Sequence, residues 1–195
     1  MHINQPMVDH VIGLLKSGIP ATYHYHNYEH TLLVMENAIE IGRHESCTEK
    51  ELELLYTAAL WHDTGYINTY NGHEEASCSL AGQYLPGYGY SADDIEKICG
   101  MIMATKIPQS PKNKLEEIMA DADLEYLGTS NAAVIAGNLY KELNTLNPSL
   151  TEEVWNVKEI DFLTAHHYFT NYCAAHKEQN KQAYLKSLLA KEQSI

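Results

Sequence analysis

The sequence predicts an all-α protein of about eight or nine helices, in one domain spanning residues 1–195. Three observations carry that prediction. Apolar residues recur at spacings of three and four through most of the chain. Ser, Thr, Asn or Asp precedes several of these stretches, and Gly or Pro ends most of them. No stretch of note alternates apolar and polar residues with the period of two that a half-buried strand needs.

The elements follow in order. "MVDHVIGLLKSG" is an amphipathic first helix, stopped by Gly18-Ile19-Pro20. Asn27 is placed to cap a second helix, whose inner stripe starts at His30 and continues through Leu33, Val34, Ala38 and Ile41. After Glu45-Ser46-Cys47, Thr48 and Glu51 form a capping box for a third helix with Leu52, Leu55, Ala58 and Ala59 inward. A polar, tyrosine-bearing loop runs from Gly65 to Gly72. The helix begun near His73 ends at Pro86-Gly87-Tyr88-Gly89, and Ser91 with Asp94 caps the next, which runs toward Thr105. Pro108 and Pro111 bracket a turn before a helix with Leu115, Met119, Ala122 and Tyr126 inward, stopped by Gly128. Asn147-Pro148 ends the following helix, and Thr151 caps a long final segment. No internal repeat and no long linker divides the chain.

Composition narrows the function. A net charge of -13 with Arg43 as the single arginine argues against a duplex nucleic acid partner, because phosphate backbones need a basic face. It leaves room for a small phosphorylated substrate whose charge a metal offsets locally. No apolar run approaches the ~20 residues of a membrane span, and no charged-then-apolar leader precedes residue 25. The cysteines Cys47, Cys78, Cys99 and Cys173 form no CxxC pair and read as reduced thiols in the cytoplasm. The sequence is compatible with a homodimer.

Four residues suggest a metal site. His62 lies three, four and seven residues after Ala59, Ala58 and Leu55, which puts it on the inward stripe with Asp63 beside it. A buried imidazole–carboxylate pair costs several kcal/mol unless a cation or donors compensate. His30 begins the inward stripe of the second helix. Asp123 lies four residues from both Met119 and Leu127, on the inner face, whereas Asp121 has Glu117 and Glu125 at those offsets and is expected to point outward. Nitrogen and oxygen donors without a thiolate suit Mn²⁺, Fe²⁺, Co²⁺, Ni²⁺ or Mg²⁺ better than a structural zinc.

His30, His62-Asp63 and Asp123 resemble the H…HD…D signature of the HD-domain superfamily of metal-dependent phosphohydrolases. The stretches "YHNYEHTLLVM", "AALWHDTGY", "HEEASCSLA", "ATKIPQSP" and "DADLEYLG" are similar to successive blocks of its small stand-alone, bacterial-type members, and "FLTAHHYFT" resembles their C-terminal helix. These blocks run from about Tyr25 to Thr170. The resemblance implies an all-helical HD domain holding one divalent ion between helices, and hydrolysis of a phosphate ester or anhydride by a metal-activated water. Asp63 or Glu74 is then the candidate general acid or base, although helix N-termini favour carboxylates in any case. His26, Lys106 and His166 are candidate substrate contacts. Each has a plain alternative: a loop histidine, a helix-terminal lysine and a core histidine.

Only His73 lies between the HD pair and Asp123 as a further histidine, so the sequence favours a mononuclear site. The same gap weighs against a di-iron oxygenase of this type. A regulatory domain that keeps its metal without turnover is the other alternative. Tyr23, Tyr25, Tyr66, Tyr70, Tyr88 and Tyr90, placed in loops, would suit stacking on the base of a nucleotide.

Overall fold

A computed structural model describes residues 3–192. Among the described residues it contains ten α-helices, three 3₁₀ turns and no strand. The helices are α1 (Gln5–Gly18), α2 (Tyr28–His44), α3 (Glu49–Trp61), α4 (His73–Tyr84), α5 (Ala92–Ala104), α6 (Lys114–Asp123), α7 (Ala132–Leu146), α8 (Glu152–Ala165), α9 (Asn171–His176) and α10 (Glu178–Glu192). Single 3₁₀ turns follow α3, α4 and α6 at Thr64–Ile67, Leu85–Tyr88 and Glu125–Gly128. No described helix is long and apolar enough to cross a membrane.

The caps fall where the sequence puts them. Asn27 Oδ1 accepts from the amides of Glu29 and His30, and the Thr48–Glu51 capping box is complete. Ser91 and Thr151 cap α5 and α8 through Asp94 N and Val154 N. The final segment, expected as one long run, is divided into α8, α9 and α10, which accounts for the excess over eight or nine helices. Its break lies inside "FLTAHHYFT": α8 ends at Ala165, and His166 is already extended with φ -69° and ψ 137°.

Two apolar clusters organise these helices. The larger is centred on α2, α3, α5 and α6, with Val34, Ala38, Ile41, Leu55, Ala58, Met101, Ile102 and Met119 among its members, and it takes in Met7, Val11 and Leu15 of α1. Leu33, expected on the inner stripe of α2, is instead 37% exposed, because the buried face is centred on Val34, Ala38 and Ile41. The smaller cluster joins Tyr25, Leu124, Tyr126 and Leu127 to Leu163 of α8 and to Leu185 and Leu188 of α10. The candidate ligands lie between these two cores.

α6 is shorter than the sequence predicts. The helix ends at Asp123, and Leu124 leaves it at φ -105° and ψ 12°, rather than continuing to Gly128. Helical phase does separate Asp121 from Asp123, but Asp121 does not reach solvent. It is fully buried and accepts hydrogen bonds from Phe169 N (2.9 Å), Thr170 N (2.8 Å) and the Thr170 hydroxyl (2.7 Å). The Thr170 hydroxyl also accepts from Cys173 N, so Asp121 anchors the start of α9. Asp121→Ala would strand these donors and is expected to cost about 2–4 kcal/mol of stability while leaving metal uptake intact. Denaturant unfolding and elemental analysis of the same preparation test this. Lost metal with unchanged stability would reverse the assignment of the two aspartates.

Candidate metal centre

The end of α3 brings His62 and Asp63 into the interior at 1% and 2% exposure. His62 Nδ1 lies 2.7 Å from the Ala59 carbonyl. A carbonyl only accepts, so Nδ1 carries a proton and the neutral ring presents the Nε2 lone pair. Nε2 lies 3.2 Å from Asp63 Oδ2 and 3.6 Å from Asp123 Oδ1. Neither His62 Nε2 nor Asp63 Oδ2 makes a hydrogen bond. His30 Nε2 completes the group, 3.0 Å from Asp123 Oδ1 and 3.6 Å from Asp63 Oδ2. His30, His62 and Asp123 each offer a ligand atom within 4.8 Å of the others.

Lone pairs of two imidazoles and two carboxylates that converge out of water repel one another unless a cation sits among them. Burial alone would lower the pKa of His62, but the Asp63 and Asp123 carboxylates raise it well above the usual imidazole range. The histidines in return hold both carboxyl groups far below theirs, against the desolvation that would raise them. The residues therefore fit a divalent ion that displaces a proton, as metal sites with histidine ligands do.

The 3₁₀ turn after Asp63 fastens α4 to this centre. The Ser77 hydroxyl donates to the His62 carbonyl at 2.6 Å and accepts from Gly65 N at 2.8 Å. A Cβ on Gly65 would stand 1.9 Å from the His73 carbonyl oxygen, so only glycine permits this approach. Held this way, the first turn of α4 delivers His73 and Glu74. His73 Nε2 lies 3.6 Å from Asp63 Oδ1, the carboxylate oxygen turned away from His62, and His73 Nδ1 lies 3.5 Å from Glu74 Oε2. Burial lowers the His73 pKa, partly offset by Asp63 and Glu74.

The structure brings together most of the residues singled out in the sequence. Asp63, Asp123, His26, Glu74 and Lys106 line one cavity of about 570 Å³, with His73 among them. Lys106 is at its exposed edge, paired with Glu75. His166 is not part of it. Its ring packs against Phe162 and Tyr168, and Lys181 Nζ donates to its Nδ1 at 3.2 Å and to its carbonyl at 2.6 Å. Burial and the Lys181 charge push its pKa down to about 4. His166 is half-buried, outside the residues that line the cavity.

Two site features were not read from the sequence. Glu142 on α7 is fully buried and accepts from Tyr25 N (2.9 Å), His26 N (3.0 Å) and the Tyr70 hydroxyl (3.1 Å), with His26 Nδ1 at 2.5 Å. It fixes the segment that leads into His30. Its signal in the sequence is an acid on an apolar stripe, where Ile135, Leu139 and Glu142 recur at spacings of four and three. The second feature is the use made of the tyrosines. Tyr66 stacks on both His26 (ring centroids 4.2 Å) and His73 (3.9 Å), and Tyr25 is buried against His30. Tyr88 and Tyr90 pack on the larger core, away from the cavity.

No curated protein matches the chain. Among solved structures, it is similar to a protein described as a predicted HD superfamily hydrolase from an uncultured Thermotogales bacterium. The two are 19% identical, with a TM-score of 0.63 over 100% of this chain and 98% of the other, a likeness of fold. The HD domain family model matches residues 27–125, a segment that contains His30, His62, Asp63 and Asp123. This chain belongs to the HD domain family.

Proposed function

We propose that the chain is a metal-dependent phosphohydrolase that uses water to cleave a phosphate ester or anhydride of a small molecule, and that residues 1–195 work as one domain. The observation that carries this reading is the convergence of His30, His62, Asp63 and Asp123 with the buried His62 Nε2 and Asp63 Oδ2 unpartnered. The one-domain reading is supported by Glu142, which reaches from α7 to the segment that precedes His30.

These four residues would hold one divalent ion, chosen from Mn²⁺, Fe²⁺, Co²⁺, Ni²⁺ and Mg²⁺ by the donor set. When bound, such an ion lowers the pKa of water and offsets phosphoryl charge. Asp63 or Glu74 takes the proton of the attacking water. His26, oriented by Glu142, and Lys106 at the cavity edge bind phosphoryl oxygens. A cytoplasmic setting is supported by the four free cysteines.

The test is phosphate release from a panel of phosphate esters and anhydrides by protein reconstituted separately with each of the five ions. Turnover with at least one ion and none in the ion-stripped protein is the expected result. Metal-loaded protein that releases no phosphate overturns the reading. If it instead consumes dioxygen, it is an oxygenase. If it does neither, it is a regulatory domain.

A further inference from the structure

The cavity continues well past the candidate metal centre. One end is lined by Asp63, His73, Glu74 and Asp123. The cavity's apolar lining comes from Leu124 and Leu127 after α6, Leu139 and Leu143 of α7, and Trp155 and Phe162 of α8, here called the α7–α8 lobe. Several of these side chains belong to or pack against the smaller core, so the lobe is a gap in an apolar layer. At about 570 Å³ the whole cavity falls in the range of small-molecule sites, well beyond what a phosphoryl group alone would occupy.

The lobe has little with which to read a polar ligand. Glu159, its buried carboxylate, is engaged by the Tyr184 hydroxyl at 2.5 Å. Lys158 is exposed at the rim. The Thr105 hydroxyl donates to the Ile102 carbonyl at 2.8 Å. Tyr66 is 4% exposed and its ring already stacks on His26 and on His73, which leaves it little free face for a nucleobase. A base or sugar set against Leu124, Leu127, Leu139, Leu143 and Phe162 would lose water from its polar edges without regaining partners from those side chains.

We propose that the α7–α8 lobe binds the organic group of the substrate, and that the substrate is a phosphate monoester of an apolar, aromatic-bearing alcohol. The inference rests on the phosphohydrolase reading for its chemistry and on the lobe for its specificity. Water adds to phosphorus, the bond from phosphorus to the alcohol oxygen breaks, and that oxygen leaves with a proton as the free alcohol, together with inorganic phosphate. No oxidant or reductant enters.

The test compares 2-(1-naphthyl)ethyl phosphate with ethyl phosphate on the metal-loaded protein. Both release a primary alcohol, so leaving-group reactivity is matched and the lobe accounts for the difference. The expected kcat/KM ratio is about a hundredfold or more in favour of the naphthyl ester. Leu143→Asp, on the partly exposed side of the lobe, is expected to reduce that ratio at least about tenfold. A ratio near one, or a nucleoside 5′-monophosphate preferred over the naphthyl ester, overturns the proposal while leaving the phosphohydrolase reading intact.

A second measurement does not depend on turnover. Binding of 2-(1-naphthyl)ethanol to the ion-free protein, followed by tryptophan fluorescence, is expected for the wild type and weakened in Leu143→Asp. Binding of the alcohol without phosphate release from any ester supports the lobe as an apolar site and sinks the phosphohydrolase reading. Absence of binding overturns the lobe.

Discussion

Asp123→Ala is expected to abolish stoichiometric metal uptake and to reduce phosphate release to the rate of the ion-stripped wild type. Asp123 Oδ1 lies 3.0 Å from His30 Nε2 and 3.6 Å from His62 Nε2, so its loss removes a donor that faces both histidines. The wild type should take up about one ion per chain. His62→Ala should behave like Asp123→Ala, since its Nε2 is buried, unpartnered and within 3.6 Å of both carboxylates. The sign of the pH dependence follows from the same geometry. Asp63 and Asp123 raise the His62 pKa, so the ion has to displace a proton, and its affinity should rise with pH up to that raised pKa. Elemental analysis, a metal titration at several pH values and kcat in the same preparations check all three statements. A His62→Ala/Asp123→Ala double variant that still holds one ion per chain would overturn the assignment.

The parts of this site legible in the sequence are those fixed within one helix. The phase of α3 places His62 inward, Asn27 starts α2 three residues before His30, and the phase of α6 separates Asp123 from Asp121. Each is a local consequence of a period of 3.6 residues. What the sequence does not reveal is where a helix face meets another element. Asp121 has acidic neighbours at the offsets that define a helix face, yet it is buried because the α8–α9 connection supplies three donors to it. His166 falls on an apolar stripe, but α8 ends before it, and the buried Lys181 of α10 takes up its ring nitrogen. Glu142 acts on a segment more than a hundred residues away, with separations of 116 and 117 to its backbone donors. The tyrosines follow the same rule: composition counts them, and only packing decides that Tyr66 stacks on two histidines while Tyr90 bonds Thr57.

Glu74→Gln separates proton transfer from metal binding. Glu74 is in the first turn of α4, buried, with Oε2 3.5 Å from His73 Nδ1, and it lines the cavity that Asp63 and Asp123 also line. The contact its carboxylate makes is with His73, outside the four proposed ligands, so the glutamine variant should keep its ion. If Glu74 moves the proton of the attacking water or of the leaving oxygen, its replacement should reduce kcat by about 10²–10⁴-fold, the range of general acid–base catalysis. One limb of the pH–rate profile should flatten, because glutamine does not titrate. The Ser77–His62 and Ser77–Gly65 hydrogen bonds hold the α4 terminus independently of Glu74, so the variant should retain the local structure. A metal-loaded Glu74→Gln enzyme that turns over at the wild-type rate across the pH range would assign Glu74 to the helix N-terminus, where a carboxylate is favoured by the dipole alone. The proton would then pass to Asp63, whose Oδ1 is turned toward His73 at 3.6 Å.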